Sequence, residues 1–280
     1  MASAEVMAPI TVISCQSRWF QALRLSDLWA YRELLWFLVW RDIKVRYKQA
    51  VLGVAWAVIQ PVATVLIFTL FFGRLAKIPS DNLPYPLFAL AAMLPWNYFT
   101  GALTRGSQSL VGASHLISKV YFPRLTVPIS AVLSGLVDYA ITWVVLIVVM
   151  AFYGFYPSWD WLLVAPALTL LTLGLALGLS LWLSALNVKY RDVSHVLPFM
   201  VQLWMFATPI VYPLSLVPEK YQWLVSLNPM TGVIESFRLL LLHQSINGQA
   251  LMFSLGIMVV ILISGAIYFS KTERSFADVI

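Results

Sequence analysis

Residues 41–61 read RDIKVRYKQAVLGVAWAVIQP, and the change of character halfway along them decides the fold. Arg41, Lys44, Arg46 and Lys48 fall within eight residues, and the apolar run that follows carries no charge as far as Phe72. A junction of this kind marks passage from water into a bilayer. Basic residues beside a first span stay on the cytoplasmic side, so the junction orients the chain and each later loop takes its side by alternation.

Composition agrees with a membrane environment. Of 280 residues, 61% are hydrophobic and 11% charged, with a mean hydropathy of +0.83; a soluble domain runs nearer half apolar and about a quarter charged. The formal charge of +6 is no nucleic-acid footprint, because the cations collect beside apolar segments and not on one soluble domain. Cys15 is the only cysteine, which excludes an internal disulfide and a thiolate metal cluster. VISC at 12–15 has the outline of a lipoprotein cleavage box, but no cation precedes Arg18 and Pro9 interrupts the short apolar run. No signal peptide is read there, and residues 1–26 are expected to be a flexible cytoplasmic tail.

Residues 27–49 predict an amphipathic interfacial helix, with Asp27 as N-cap and Leu28, Tyr31, Leu35 and Leu38 at helical spacing. Its uninterrupted apolar stretch, Leu34 to Trp40, falls far short of the roughly 20 residues that cross a bilayer. Trp29, Trp36 and Trp40 suit the headgroup zone while the cations face water and anionic lipid. Two uses remain open, a membrane anchor and a docking surface for a cytosolic partner.

Within 50–270, six runs have spanning length: 51–73, 84–105, 126–153, 161–186, 194–212 and 249–270. With the N-terminus inside, fourteen of the 18 Lys and Arg residues lie in cytoplasmic parts and four, Arg74, Lys77, Lys220 and Arg238, outside. That asymmetry supports the orientation and leaves residues 271–280 as a second cytoplasmic tail. The expected fold is an all-α polytopic membrane protein with six transmembrane helices, an N-terminal interfacial helix and an outer re-entrant hairpin.

Two connections exceed a simple turn. The inner one holds a short helix at about 109–122, with Leu110, Leu116, Ile117, Val120 and Tyr121 apolar and Pro123 stopping it. The outer one holds PEKYQWLVSL and PMTGVIESFRLLLLH, divided at Asn228 and Pro229, a good N-cap and first-turn pair. Together, at about 218–243, these two short helices make a hairpin that dips in from outside, where Glu235 and Arg238 are spaced to pair across one turn; an exposed pair of that kind is worth only about 0.3 kcal/mol.

No GxxxxGK[ST] segment occurs, so ATP chemistry by that route needs another subunit. His115 and His195 are expected inside and His243 outside, which argues against a shared histidine site. Asp138 is the one acid deep in a predicted span and needs a partner; a packing hydrogen bond to Ser134, Thr142 or a neighbouring span is favoured over a proton relay or a substrate contact. Trp96, Tyr98, Phe99, Trp204, Phe206 and Tyr212 sit within spans and are candidates to line a channel by ring stacking, with helix packing as the alternative for any single ring.

Four stretches taken together resemble the membrane subunits of ABC exporters of the polysaccharide, O-antigen and teichoic acid class: Arg41–Pro61, LISKVYFPRLTVPIS from Leu116, LNVKYRDVSHVLPFMVQLWMFATPIVYP from Leu186 and LNPMTGVIESFRLLLL from Leu227. The resemblance spans roughly 27–270. It implies a homodimer in the cytoplasmic (inner) membrane, bound to two copies of a separate ABC ATPase that uses Mg-ATP, with no cofactor, catalytic residue or metal in this chain. It further implies a channel for a lipid-linked glycan and coupling contacts at Ser114, His115, Leu116 and Lys119 and at Lys189, Tyr190, Arg191 and Asp192. Asn228, Pro229, Glu235 and Arg238 would belong to the outer gate, and Arg41, Lys44, Arg46 and Lys48 would meet the anionic lipid diphosphate at the entrance. Competing readings are a drug or simple-lipid exporter of the same architecture, an ion-coupled transporter, which wants more intramembrane carboxylates and inverted repeats, and a membrane-embedded enzyme, which wants clustered acids or metal ligands.

Overall fold

The computed structural model describes residues 25–48, 53, 55–244, 248–273 and 276; the N-terminal tail with Cys15, the Gln49–Leu52 junction and most of the C-terminal tail lie outside them. No strand occurs among the described residues. Two short-range helices open the chain, α1 (Leu25–Ala30) and α2 (Arg32–Lys48). The single helix expected at 27–49 is therefore broken at Tyr31, beside which the Arg32 guanidinium donates to the Trp29 carbonyl at 3.3 Å. Asp27 lies inside α1 and not ahead of it. Polarity in α2 is divided end to end, apolar from Leu34 to Trp40 and basic from Arg41 onward, so the helix has two ends of different character and not two faces.

Next come α3 (Ala55–Phe68), extended by a π-helical turn at Thr69–Leu75, and α4 (Tyr85–Gly112). A six-residue helix α5 (Ser114–Lys119) precedes α6 (Thr126–Leu133) and α7 (Leu136–Phe152), which together make the run expected at 126–153. The chain continues through α8 (Trp161–Lys189), α9 (Val193–Ala207), α10 (Glu219–Ser226), α11 (Pro229–Leu241) and α12 (Gly248–Thr272). Among the described residues, four segments are long and apolar enough to cross a membrane: Ala55–Leu75, Thr126–Phe152, Trp161–Lys189 and Gly248–Thr272. That makes the chain a multi-pass membrane protein.

α4 has the length of a span, 28 residues, yet carries Asn97, Arg105 and Pro95. Its position explains this. It packs against α3, α6, α7, α8, α9 and α11, so most of its surface meets protein and not lipid. Polar groups survive in an apolar slab when they face the bundle interior. α9 is shorter than the run read at 194–212 because the helix ends at Ala207, before Thr208 and Pro209.

α8 and α12 pack tightly against each other. A Cβ on Gly178 would stand 2.8 Å from the Leu262 backbone, and one on Gly174 2.7 Å from the Met258 sulfur. These glycines, four apart, let the helices approach through dispersion contact, which must supply association where lipid removes the hydrophobic drive. Trp182 stacks on Tyr268 at 4.3 Å and donates to Ser264 at 3.2 Å along the same seam. A second apolar cluster gathers Leu110, Phe122, Leu181, Ala185 and Phe269 at one end of the bundle. The partly buried Leu116 and Ile117 of α5 pack onto it.

Candidate functional site

Where α2 ends, its last turn reaches into the bundle. Arg46 and Tyr47 both donate to the Asp138 carboxylate on the first turn of α7, and Arg46 lies 3.4 Å from Ser134. Asp138 therefore finds its partner on α2, not in the Ser134 or Thr142 hydroxyls or a neighbouring span; the Thr142 hydroxyl donates to its backbone carbonyl instead, at 2.9 Å. The pair is only partly covered, 26% of the Arg46 side chain and 35% of Asp138 remaining exposed. Burial, and then the bond to Asp138, pushes the Tyr47 hydroxyl up to about 12, so it stays a proton donor at any physiological pH.

These groups face a cavity of about 560 Å³ enclosed by α2, α3, α4 and α7. Its wall includes Arg46, Tyr47, Arg105, Asp138, Asn97 and Tyr98. Arg105 owes its place to two glycines. An ideal Cβ on Gly101 would stand 3.0 Å from one guanidinium nitrogen, and a Cβ on Gly135 would collide with another. The Arg105 Nε donates to the Ala131 carbonyl through a long 3.4 Å bond; among the described residues the guanidinium has no carboxylate at ion-pair distance. Two guanidinium groups against one carboxylate leave the cavity with a formal excess of one positive charge. Sequence reading took Arg105 only as a cytoplasmic flank; Gly101, four residues before it on the same helix face, was the available signal.

The other basic residues of the junction part company with Arg46. Arg41 is exposed and paired with the adjacent Asp42 at 2.8 Å, Lys44 sits 5.3 Å from the Trp40 ring, and Lys48 is exposed. The four entrance candidates thus do not converge, and Arg46 alone reaches the cavity.

The two coupling candidates are exposed turns. In α5, Leu116 and Ile117 anchor inward while His115 and Lys119 are exposed and Ser114 is half-buried; Tyr121, just beyond, is 82% exposed. Lys189, Tyr190, Arg191 and Asp192 are all exposed between α8 and α9, with the Lys189 ammonium 5.2 Å from the Tyr190 ring.

At the opposite end, Asn228 caps α11 by accepting from the Met230 amide at 3.1 Å, with Pro229 in the first turn. The Asn228 amide also donates to Thr208 at 2.7 Å. α10 is exposed, whereas α11 is buried against α4, α8 and α12. The Glu235 and Arg238 pair forms at 2.9 Å but is not the exposed pair expected from spacing: Arg238 is only 4% exposed. It donates to the carbonyls of Pro209 and Ile210 at 2.7 Å, and its guanidinium carbon lies 3.5 Å from the Phe88 ring centroid. Tyr85 secures the same loop through the Val211 carbonyl at 3.0 Å.

Of the six aromatic channel candidates, Trp96, Tyr98 and Phe99 are buried. Trp96 and Phe99 meet Trp204 edge-on at 6.2 and 5.2 Å, fastening α9 to α4. Tyr98 has the cavity beside it, Tyr212 is half-buried, and Phe206 is 56% exposed.

Long apolar helices packed with α4 at their centre, and a cationic cavity at the flank, define an integral membrane protein. The chain belongs to the ABC-2 type transporter family, whose model matches residues 33–242. It is 31% identical over 258 residues to the O-antigen export system permease protein RfbA of Myxococcus xanthus, covering 91% of this chain and 98% of that one. A Klebsiella pneumoniae protein of the same name is 27% identical, with 89% and 95% covered. The polysialic acid transport protein KpsM of Escherichia coli is 24% identical over 199 residues, 71% of this chain and 77% of that one.

Proposed function

We propose that the chain is the membrane-embedded subunit of an ATP-driven exporter that moves lipid-linked polysaccharide across the cytoplasmic membrane. Likeness to O-antigen export permeases over nine-tenths of the chain carries this reading. The polysaccharide transport relative extends it to capsule-like polymers, and teichoic acid belongs to the same class of cargo. A drug or simple-lipid exporter of this architecture is the second reading, and the relatives' names favour it less.

In this account two copies of the chain pair, each bound to an ABC ATPase that consumes Mg-ATP. Six spans per chain complete the fold, with α4 and α9 added to the four apolar segments and α10 and α11 forming the outer hairpin. Both termini lie in the cytoplasm in this reading, which the distribution of Lys and Arg supports. The exposed turns at Ser114–Lys119 and Lys189–Asp192 receive the motion of the ATPase, and α8 and α4 carry it inward. Asn228 and Arg238 hold the outer end closed until that motion arrives.

Reconstitution tests the reading. With the complex in sealed vesicles and its lipid-linked polysaccharide outside, the polymer is expected to become protected from an added glycosidase only when ATP is present. Protection without ATP, or ATP-dependent movement of a simple lipid with the polymer left outside, would reject it.

A further inference from the structure

The flank cavity has a chemistry that the fold alone does not require. Arg105 occupies a niche that two glycines vacate, has no carboxylate at ion-pair distance among the described residues, and lines a space bounded by membrane helices, which it shares with Asp138. A buried guanidinium without a direct ion pair is costly. Arg46, the second cation, is held by a carboxylate that is one-third exposed to the same space. The Asn97 amide lines the wall, and no hydrogen bond from its side chain occurs among the described residues. Two guanidinium groups thus face one carboxylate here, a charge balance that suits an anion.

Two further features say what kind of anion. The cavity is walled on one side by Trp56, Ala57, Gln60 and Pro61 of α3, and the neighbouring Val58, Ile59, Val62 and Leu66 of that helix are exposed and apolar. A ligand reaching it sideways from the bilayer would keep a hydrocarbon tail against that face. A volume of about 560 Å³ falls within the ~300–1,000 Å³ of small-molecule sites. Planar guanidinium forks recognise phosphoryl oxygens two at a time, and a diphosphate offers enough of them for both.

Resting on the exporter reading, we propose that this cavity is the headgroup site for an isoprenoid-linked diphosphate: Arg105 is the fixed anchor, and Arg46 is released to the ligand as the diphosphate displaces Asp138. Asp138 is then a surrogate anion that keeps Arg46 ordered in the empty site. Tyr47 follows Arg46 and supplies a neutral donor.

The test uses the full chain with its ATPase in nanodiscs and farnesyl diphosphate as the probe, which carries the diphosphate and tail but no glycan. Binding is expected, and Arg105→Gln weakens it by about tenfold or more, the scale of one lost charge-assisted contact. Arg105→Lys retains part of the affinity. Asp138→Asn tightens binding several-fold, because the ligand no longer competes with the carboxylate; a merely structural Asp138 would give no gain. Unchanged affinity in Arg105→Gln, or weaker binding in Asp138→Asn, overturns the proposal. If Arg105→Gln fails to fold, the opposite signs expected of Asp138→Asn and Arg105→Lys still decide. Equal competition by phosphatidylglycerol would make this a site for bulk phospholipid, and equal binding of inorganic pyrophosphate a site for free anions; either result overturns the isoprenoid assignment. Loss of the site with ATP-driven polymer transport intact in vesicles would remove the pocket and keep the exporter, and a bound diphosphate with no polymer transport would do the reverse.

Discussion

Arg238→Met is expected to cost about 3–5 kcal/mol, the range for breaking a buried ion pair by removing one partner. The side chain is 4% exposed and ties four things together: Glu235, the Pro209 carbonyl, the Ile210 carbonyl and the face of Phe88. Methionine fills most of the volume but leaves the Pro209 and Ile210 carbonyls without a side-chain donor and the Glu235 carboxylate without its cation. Each orphaned carbonyl costs about 1–3 kcal/mol when buried. The loss should appear as a lower unfolding midpoint in detergent, with faster proteolysis between Thr208 and Leu216. Pairing it with Glu235→Gln should recover part of the stability, since the stranded carboxylate is then neutral. Recovery to wild type would assign the whole cost to that carboxylate and none to the loop carbonyls.

Reversing charge on the two exposed turns, Lys119→Glu with Arg191→Glu, is expected to release the ATPase while leaving the fold intact. Both side chains are exposed, so the change in stability should stay within about 0.5 kcal/mol. At a docking face the same reversal sets like charges against a complementary partner, at a cost of several kcal/mol, roughly a hundredfold or more in affinity. Co-purification on size exclusion reads the outcome directly. Lys220→Glu, an exposed cation on α10 at the other end of the bundle, should leave the complex whole. Retention of the ATPase in the double reversal would remove these turns from the docking surface.

How much could be foreseen depended on the distance over which each interaction acts. The Asn228 and Pro229 cap is local chemistry, and the sequence predicts it correctly. The Glu235 and Arg238 pair is also local, at three residues' spacing, but its burial is not, because it depends on the 209–212 loop folding back over α11. Arg46 meets Asp138 across 92 positions, and no helical periodicity carries that information. A charged residue in a span announces that it has a partner without saying which one. α4 shows the reverse problem: its polar residues lower its apolar signal because it lies in the interior, so the helix at the centre of the bundle reads as the less apolar one. Trp96 and Phe99 drew notice as aromatic residues beside polar ones, yet they and Trp204 form a packing joint between α4 and α9. The Gly174 and Gly178 pair, by contrast, is plain in the chain, and small residues four apart mark a helix seam in a membrane.

Export of a lipid-linked polysaccharide by this chain is tested most directly by depleting it from cells. Mass spectrometry of the isoprenoid-linked glycans in depleted cells should show full-length polymer accumulating on its lipid carrier inside, with the surface polymer falling in step. An unchanged lipid-linked pool together with unchanged surface polymer would contradict the account and bring the simple-lipid or drug exporter forward.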